Sequence, residues 1–115
     1  MMRVGDLASG RAGDKGDVLD LTLVARDEAA YTLLARALDA ESVRRELNRV
    51  VPGPVQRYDV PGLRALKFVA REALPGGVYA SLRPGLHWLK AAIWLLLDLT
   101  IDEVRGCLVA GPPGA

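Results

Sequence analysis

The stretch Ser9-Gly10-Arg11-Ala12-Gly13-Asp14-Lys15-Gly16-Asp17, followed directly by Val18-Leu19-Asp20-Leu21-Thr22-Leu23-Val24-Ala25, decides how the chain is read. Its second half alternates: Leu19, Leu21 and Leu23 fall on one face, and Val18, Asp20, Thr22 and Val24 on the other. Both faces are partly apolar, which predicts a central strand. The first half packs three glycines, two cations and two carboxylates into nine residues. With Val4–Ala8 read as a short strand before it, the order is strand, Gly-rich loop, strand. This predicts a hairpin with an enlarged connection.

A Gly-rich turn can aim successive backbone N–H groups at an anion. Arg11 and Lys15 would add charge-assisted hydrogen bonds to a carboxylate or phosphate. The stretch is not a Walker loop, because Lys15 is followed by Gly16-Asp17 and a strand rather than by Ser or Thr and a helix. The dinucleotide fingerprint fails on the same ground. A solvated connection whose charges pair with one another fits the same residues. Asp14 and Asp17 suit an acid/base pair, a metal pair or simple turn stabilisation, and no metal is assigned to them. One His and one Cys exclude a Cys/His zinc site.

Outward from this stretch, Asp27 caps a helix predicted to run to about Leu38, with Tyr31, Leu34, Ala35 and Leu38 on one face. A second helix is expected over about Glu41–Arg49, stopped by Pro52-Gly53-Pro54. Val55–Val60 reads as a strand ended by Pro61. Leu63–Leu74 reads as a helix on the spacing of Leu63, Leu66, Ala70, Ala73 and Leu74. Val78–Arg83 is a weaker strand. Leu86 to about Leu97 is a last helix, apolar over much of its circumference and therefore buried deeply or packed on a partner. Trp88 and Trp94, six apart, point to different sides of it, one suited to a core and the other to an interface. Thr100 and Glu103 have the spacing of a capping box for one more turn. Residues 1–110 form one expected domain, and Gly111-Pro112-Pro113-Gly114-Ala115 a flexible tail.

At 115 residues the chain fits one domain that buries roughly 65% of its unfolded surface, enough to fold without a disulfide or metal. A net charge of +1 with interspersed signs argues against non-specific nucleic-acid binding. The longest apolar run, Ala91–Leu97, falls far short of the roughly 20 residues that span a bilayer. The N-terminus lacks a secretory apolar stretch. A cytoplasmic protein with no membrane contact is expected. His87 has no nucleophile tied to it by spacing, and Cys107 reads as an incidental thiol. Arg83, before the Pro84-Gly85 break, suits a ligand, a partner or open surface. Helices packed on a small, mostly antiparallel sheet make an α+β domain.

The Ser9–Asp17 motif and its following strand, Val24-Ala25-Arg26-Asp27 with Tyr31, Leu33 and Leu34, Arg57-Tyr58-Asp59-Val60-Pro61-Gly62-Leu63-Arg64-Ala65-Leu66-Lys67-Phe68, Glu72-Ala73-Leu74, Gly76-Gly77 and Ser81-Leu82-Arg83 occur in that order. Together, from about Val4 to Leu99, they resemble the small AtuA-like domain. That domain closes acyclic terpene utilisation proteins at their C-terminal end and also occurs as a separate short protein. The resemblance implies a ferredoxin-like two-layer sandwich and a place in terpenoid catabolism through acyl-CoA intermediates. It supplies no catalytic residue. It marks Arg11, Gly13, Asp14, Lys15, Gly16 and Arg83 as pattern positions, taken here as the candidate ligand-binding set. The segment Pro84-Gly85-Leu86-His87-Trp88-Leu89-Lys90 replaces the polar segment that follows Ser-Leu-Arg in the family, which favours an apolar contact with a partner.

Three expectations follow. The first is an accessory subunit that docks on a large AtuA-like chain or on its own copies. The second is a module that holds an anionic metabolite such as an acyl-CoA. The third, an enzyme in its own right with Asp14 or Asp17 as base, ranks last, because no paired acid/base or nucleophile constellation is visible. No cofactor is expected.

Overall fold

The structure, a computed structural model, describes residues 1–15, 18–48, 53–71 and 92–109, with residues 14 and 15 described through their backbone. In chain order the elements are β1 (Met2–Arg3), a single helical turn α1 (Val4–Leu7), β2 (Ala8–Lys15), β3 (Val18–Ala25), α2 (Glu28–Ala37), α3 (Ala40–Leu47), β4 (Val55–Val60), a 3₁₀ turn (Pro61–Leu63) and β5 (Ala65–Ala70). A helical segment at 92–98, β6 (Thr100–Asp102) and β7 (Cys107–Leu108) follow. Two antiparallel sheets result, a four-stranded one in the order β2-β3-β5-β4 and a three-stranded one in the order β1-β6-β7. Helices on one face of the larger sheet complete an α+β sandwich.

The Gly-rich stretch is strand rather than loop over its described length. Ala8 pairs with Ala25, and the ladder continues without a break to Lys15 opposite Val18. The hairpin expectation therefore holds, with a far shorter connection: the register leaves two residues, Gly16 and Asp17, between the paired ends, and both lie outside the described residues. At Gly10 the helical segment 92–98 packs closely on β2. A Cβ on Gly10 would sit 2.8 Å from Ile93 Cδ1 and 3.2 Å from Leu97 Cδ2. A side chain there would have to push the Ile93 and Leu97 side chains aside.

Three further expectations are corrected. Val4–Ala8 is not a strand: Val4 and Leu7, three apart and both buried, form the inner side of a helical turn. That turn is held by Arg3 N–H donating to Asp6 Oδ2 at 3.2 Å and Val4 N–H donating to the Leu99 carbonyl at 2.9 Å. Leu63–Leu74 is not a helix over its described part. Pro61 and the left-handed Arg64 (φ 52°, ψ 41°) turn the chain back, and Ala65–Ala70 pairs on both sides, with β3 and with β4. Leu66 and Ala70 are spaced for a helix, but Leu66, Phe68 and Ala70 also satisfy a period of two, and short apolar runs do not separate the two periods. Thr100 and Glu103 cap no turn. Thr100 belongs to β6, and Asp102 Oδ1 instead accepts from the N–H groups of Val104 (3.0 Å) and Arg105 (3.1 Å) in the turn to β7.

The two central helices stand where expected. Asp27 accepts from Ala30 N–H at 2.8 Å at the start of α2, and Asp39 from Ser42 N–H at 2.6 Å at the start of α3. Ala30, Leu34 and Ala37 of α2 and Val43 and Leu47 of α3 are buried over Leu19, Leu21 and Leu23 of β3 and Leu66, Phe68 and Ala70 of β5. Ala92 and Leu96 of the helical segment and Ile101 of β6 join the same core. The smaller sheet is tied to α2 at Gly106, whose φ of +66° places it in the left-handed region, and a Cβ there would lie 2.7 Å from the Arg36 guanidinium carbon. Val78–Arg83, residues 86–91 of the last helix and the 111–115 tail lie outside the described residues.

The cap at Asp39 gives a pH prediction. The Ser42 backbone hydrogen bond, ahead of the Ser42 side chain and the nearby Arg45 and Arg57, holds the Asp39 carboxyl below its ordinary range. A carboxyl with a depressed folded pKa stabilises the fold above its unfolded value of about 3.9 and loses that contribution as pH falls toward the folded value. Asp39→Ala is expected to cost about 1 kcal/mol at neutral pH. It should also flatten the loss of stability between about pH 5 and pH 2, which denaturant titrations at a series of pH values would read.

Candidate interaction face

Strand alternation divides the larger sheet. One face carries Leu19, Leu21, Leu23, Leu66 and Phe68 under the helices. The other face is built in rows across the strands. Ser9, Val24, Ala65 and Val60 are register partners in one row, and Arg11, Thr22, Lys67 and Tyr58 in the next. A third row runs Gly13, Asp20, Val69 and Gln56. Val24, Tyr58 and Val60 remain 39%, 46% and 38% exposed on this outer face.

The polar groups of this face are mostly matched. Lys67 Nζ lies 2.9 Å from Asp20 Oδ2, and Thr22 Oγ1 donates to Asp20 Oδ1 at 3.4 Å. The hydrogen bond and charge of Asp20 raise the Lys67 pKa, so Lys67 stays protonated. Tyr58 OH donates to Gln56 Oε1 at 3.0 Å. Arg11, exposed, makes no ion pair among the described residues.

The sequence-predicted ligand set is thereby rearranged. Arg11 and Gly13 share the outer face of β2, where a Cβ on Gly13 would meet nothing within 4 Å. Asp14 pairs with Leu19 and Lys15 with Val18, so the position of Asp14 has the opposite strand parity to those of Arg11, Gly13 and Lys15. An extended, ladder-paired strand cannot make the concave N–H nest over residues 9–15, because a nest needs alternating helical and left-handed backbone. Gly16, Asp17, Arg83, His87 and Trp88 lie outside the described residues. Cys107 is exposed on β7, beside a depression lined with Asp102, Arg105 and Leu108. The described residues hold no cluster of three or more potential metal ligands.

The sequence reading missed Tyr58, Val60 and Lys67 as members of one face. The alternation within Val55–Val60 is legible, but a helical reading of Leu63–Leu74 breaks the rows. The signal that would have found them is the period-two set Leu66, Phe68, Ala70.

Compared with known families, residues 2–102 match the model of the AtuA ferredoxin-like domain. The chain belongs to that family. The match covers both sheets up to Asp102, so the rows of the outer face fall within it. No curated protein and no solved structure matches the chain. Among the described residues of this AtuA ferredoxin-like domain, no helix is long and apolar enough to cross a membrane.

Proposed function

We propose that this domain is an accessory, interaction module that docks on a large AtuA-type chain through the outer face of its four-stranded sheet. The observation that supports this most is the composition of the face itself. Exposed Val24, Tyr58 and Val60 lie directly beside a polar row whose Lys67 is already matched by Asp20. An apolar centre with few unmatched charges is what a protein partner covers at low desolvation cost. Elsewhere among the described residues, Asp27 and Asp39 cap helices, Asp102 accepts in a turn, Asp98 and Glu41 stand in exposed ion pairs, and no nucleophile–base pair converges in a cleft. The family reading adds a setting in terpenoid catabolism through acyl-CoA intermediates, and the proposal places the domain in the cytoplasm, without catalysis by the isolated domain.

Co-expression with an AtuA-type chain from the same organism tests this. A complex of fixed stoichiometry on size exclusion is expected, and Tyr58→Asp should release the small chain. Separate migration of the two wild-type chains would overturn the proposal.

One observation favours a second reading. Gly13 leaves open space beside Arg11 on the same strand face, room for the carboxylate or phosphate of an anionic metabolite such as an acyl-CoA. Coenzyme A should then raise the melting temperature of the isolated chain by mass action, and Arg11→Ala should remove that rise. A rise unchanged in the variant would exclude Arg11 as the anion contact.

A further inference from the structure

The helical segment at 92–98 uses two of its sides and presents a third. Ala92 and Leu96 are buried in the core, and Ile93 and Leu97 rest against the backbone of Gly10. Leu95 is partly buried against the core, which leaves Trp94, 67% exposed, and Asp98 one turn further along the same side with its side chain 69% exposed. An exposed Trp next to a carboxylate is the chemical complement of the outer sheet face, where apolar Val24, Tyr58 and Val60 lie one row from Arg11. The carboxylate matters, because covering a guanidinium without a counter-charge carries a large desolvation penalty. Among the described residues Asp98 meets one cation, Arg3, in an exposed contact at 3.5 Å, which is weak enough to exchange.

The two patches cannot meet within one molecule. Gly10, on which the helical segment packs, is the register partner of buried Leu23, so the segment lies on the helix side of the sheet. Val24, Tyr58 and Val60 look out from the opposite side.

We infer that the chain self-associates head to tail, the Trp94–Asp98 side of one copy seated on the Val24–Tyr58–Val60 face of the next, with Asp98 against Arg11. The inference rests on the reading of the sheet face as a docking surface and names a second copy as one occupant of it. A contact between two different patches is heterologous: it builds chains or a closed ring, never an isolated two-fold dimer. An AtuA-type chain on the sheet face would take the place of the next copy.

The experiment uses the purified full chain alone, so its failure is distinguishable from failure of the two-chain complex. Light scattering after size exclusion should show a mass that rises with concentration. Val24→Asp, which spoils the sheet face, and Trp94→Asp, which spoils the helix side, should each run as monomers. An equimolar mixture of the two variants retains one intact sheet face and one intact helix side, and should give a dimer that grows no further. Should Val24→Asp fail a circular dichroism check of its fold, Tyr58→Asp replaces it. Arg11→Glu should weaken association on the order of tenfold, and Arg11→Glu with Asp98→Arg in one chain should restore it. A wild-type chain that stays monomeric at every concentration overturns the inference, and so does an oligomer whose two variants fail to complement each other.

Discussion

Phe68→Ala is expected to remove about 3–5 kcal/mol of stability, the largest loss for a single substitution proposed for this chain. Phe68 is 1% exposed at the middle of β5, opposite Leu21 on one side and Arg57 on the other. Truncation removes a whole ring from beneath the helices, and strands paired on both sides cannot close the gap. A domain of this size holds about 5–15 kcal/mol in total, so the variant keeps only part of its margin. Its melting temperature should fall on the order of 10–20 °C. Val69→Ala, one position along and on the outer face, should cost under about 1.5 kcal/mol. The contrast is diagnostic of a strand. On the helical reading of Leu63–Leu74, Phe68 lies off the face defined by Leu66 and Ala70 and would be the tolerant position. Equal losses at both positions in guanidinium titrations would contradict the observed pairing.

Arg57→Met should cost about 2–4 kcal/mol. The Arg57 side chain is 21% exposed, and its guanidinium closes a junction between β4 and α2. Nη1 donates to the carbonyls of Ala35 (2.7 Å) and Leu38 (3.0 Å), which end α2 without a following turn to satisfy them. Nε lies 2.8 Å from Asp59 Oδ1, and Nη2 donates to Asp59 Oδ2 at 3.0 Å. Methionine keeps much of the aliphatic stem and removes every donor, so the loss reads the hydrogen bonds rather than the packing. Lysine should recover only part of it, because an ammonium cannot reproduce the planar fork that serves both carbonyls and the carboxylate. Denaturant midpoints for the three proteins test this. A loss for Arg57→Met below about 1 kcal/mol would mean that water satisfies the α2 carbonyls.

Arg57 also shows how a motif can mislead about function. It stands in the Arg57-Tyr58-Asp59 stretch on which the family resemblance rests, and with Asp59 it secures the fold. Tyr58 between them, with opposite strand parity, reaches the outer face. Alternation along one strand assigns neighbours in a motif to different tasks. The same division runs through the Gly-rich stretch. Gly10 belongs to helix packing and Arg11 to the open face, although the two are adjacent in the chain.

The α+β class, the hairpin through Val18–Ala25, the helix capped by Asp27 and the helix after it, the Val55–Val60 strand and the family are legible in the chain. These follow from signals carried by neighbouring residues: alternation, an Asp before an apolar helical pattern, and Pro-Gly breaks. Only the tertiary structure decided that Ala8–Lys15 and Ala65–Ala70 are strands. The first is too rich in Gly and charge to read as one, and becomes a strand because β3 offers it a ladder and Ile93 and Leu97 cover Gly10. The second fits two periods, and the choice is made by pairing with β3 and β4, partners more than 35 and fewer than ten residues away at the closest register pairs. The rows of the candidate face depend on both strands. They were therefore invisible until the long-range pairing, and not local preference, had fixed the register.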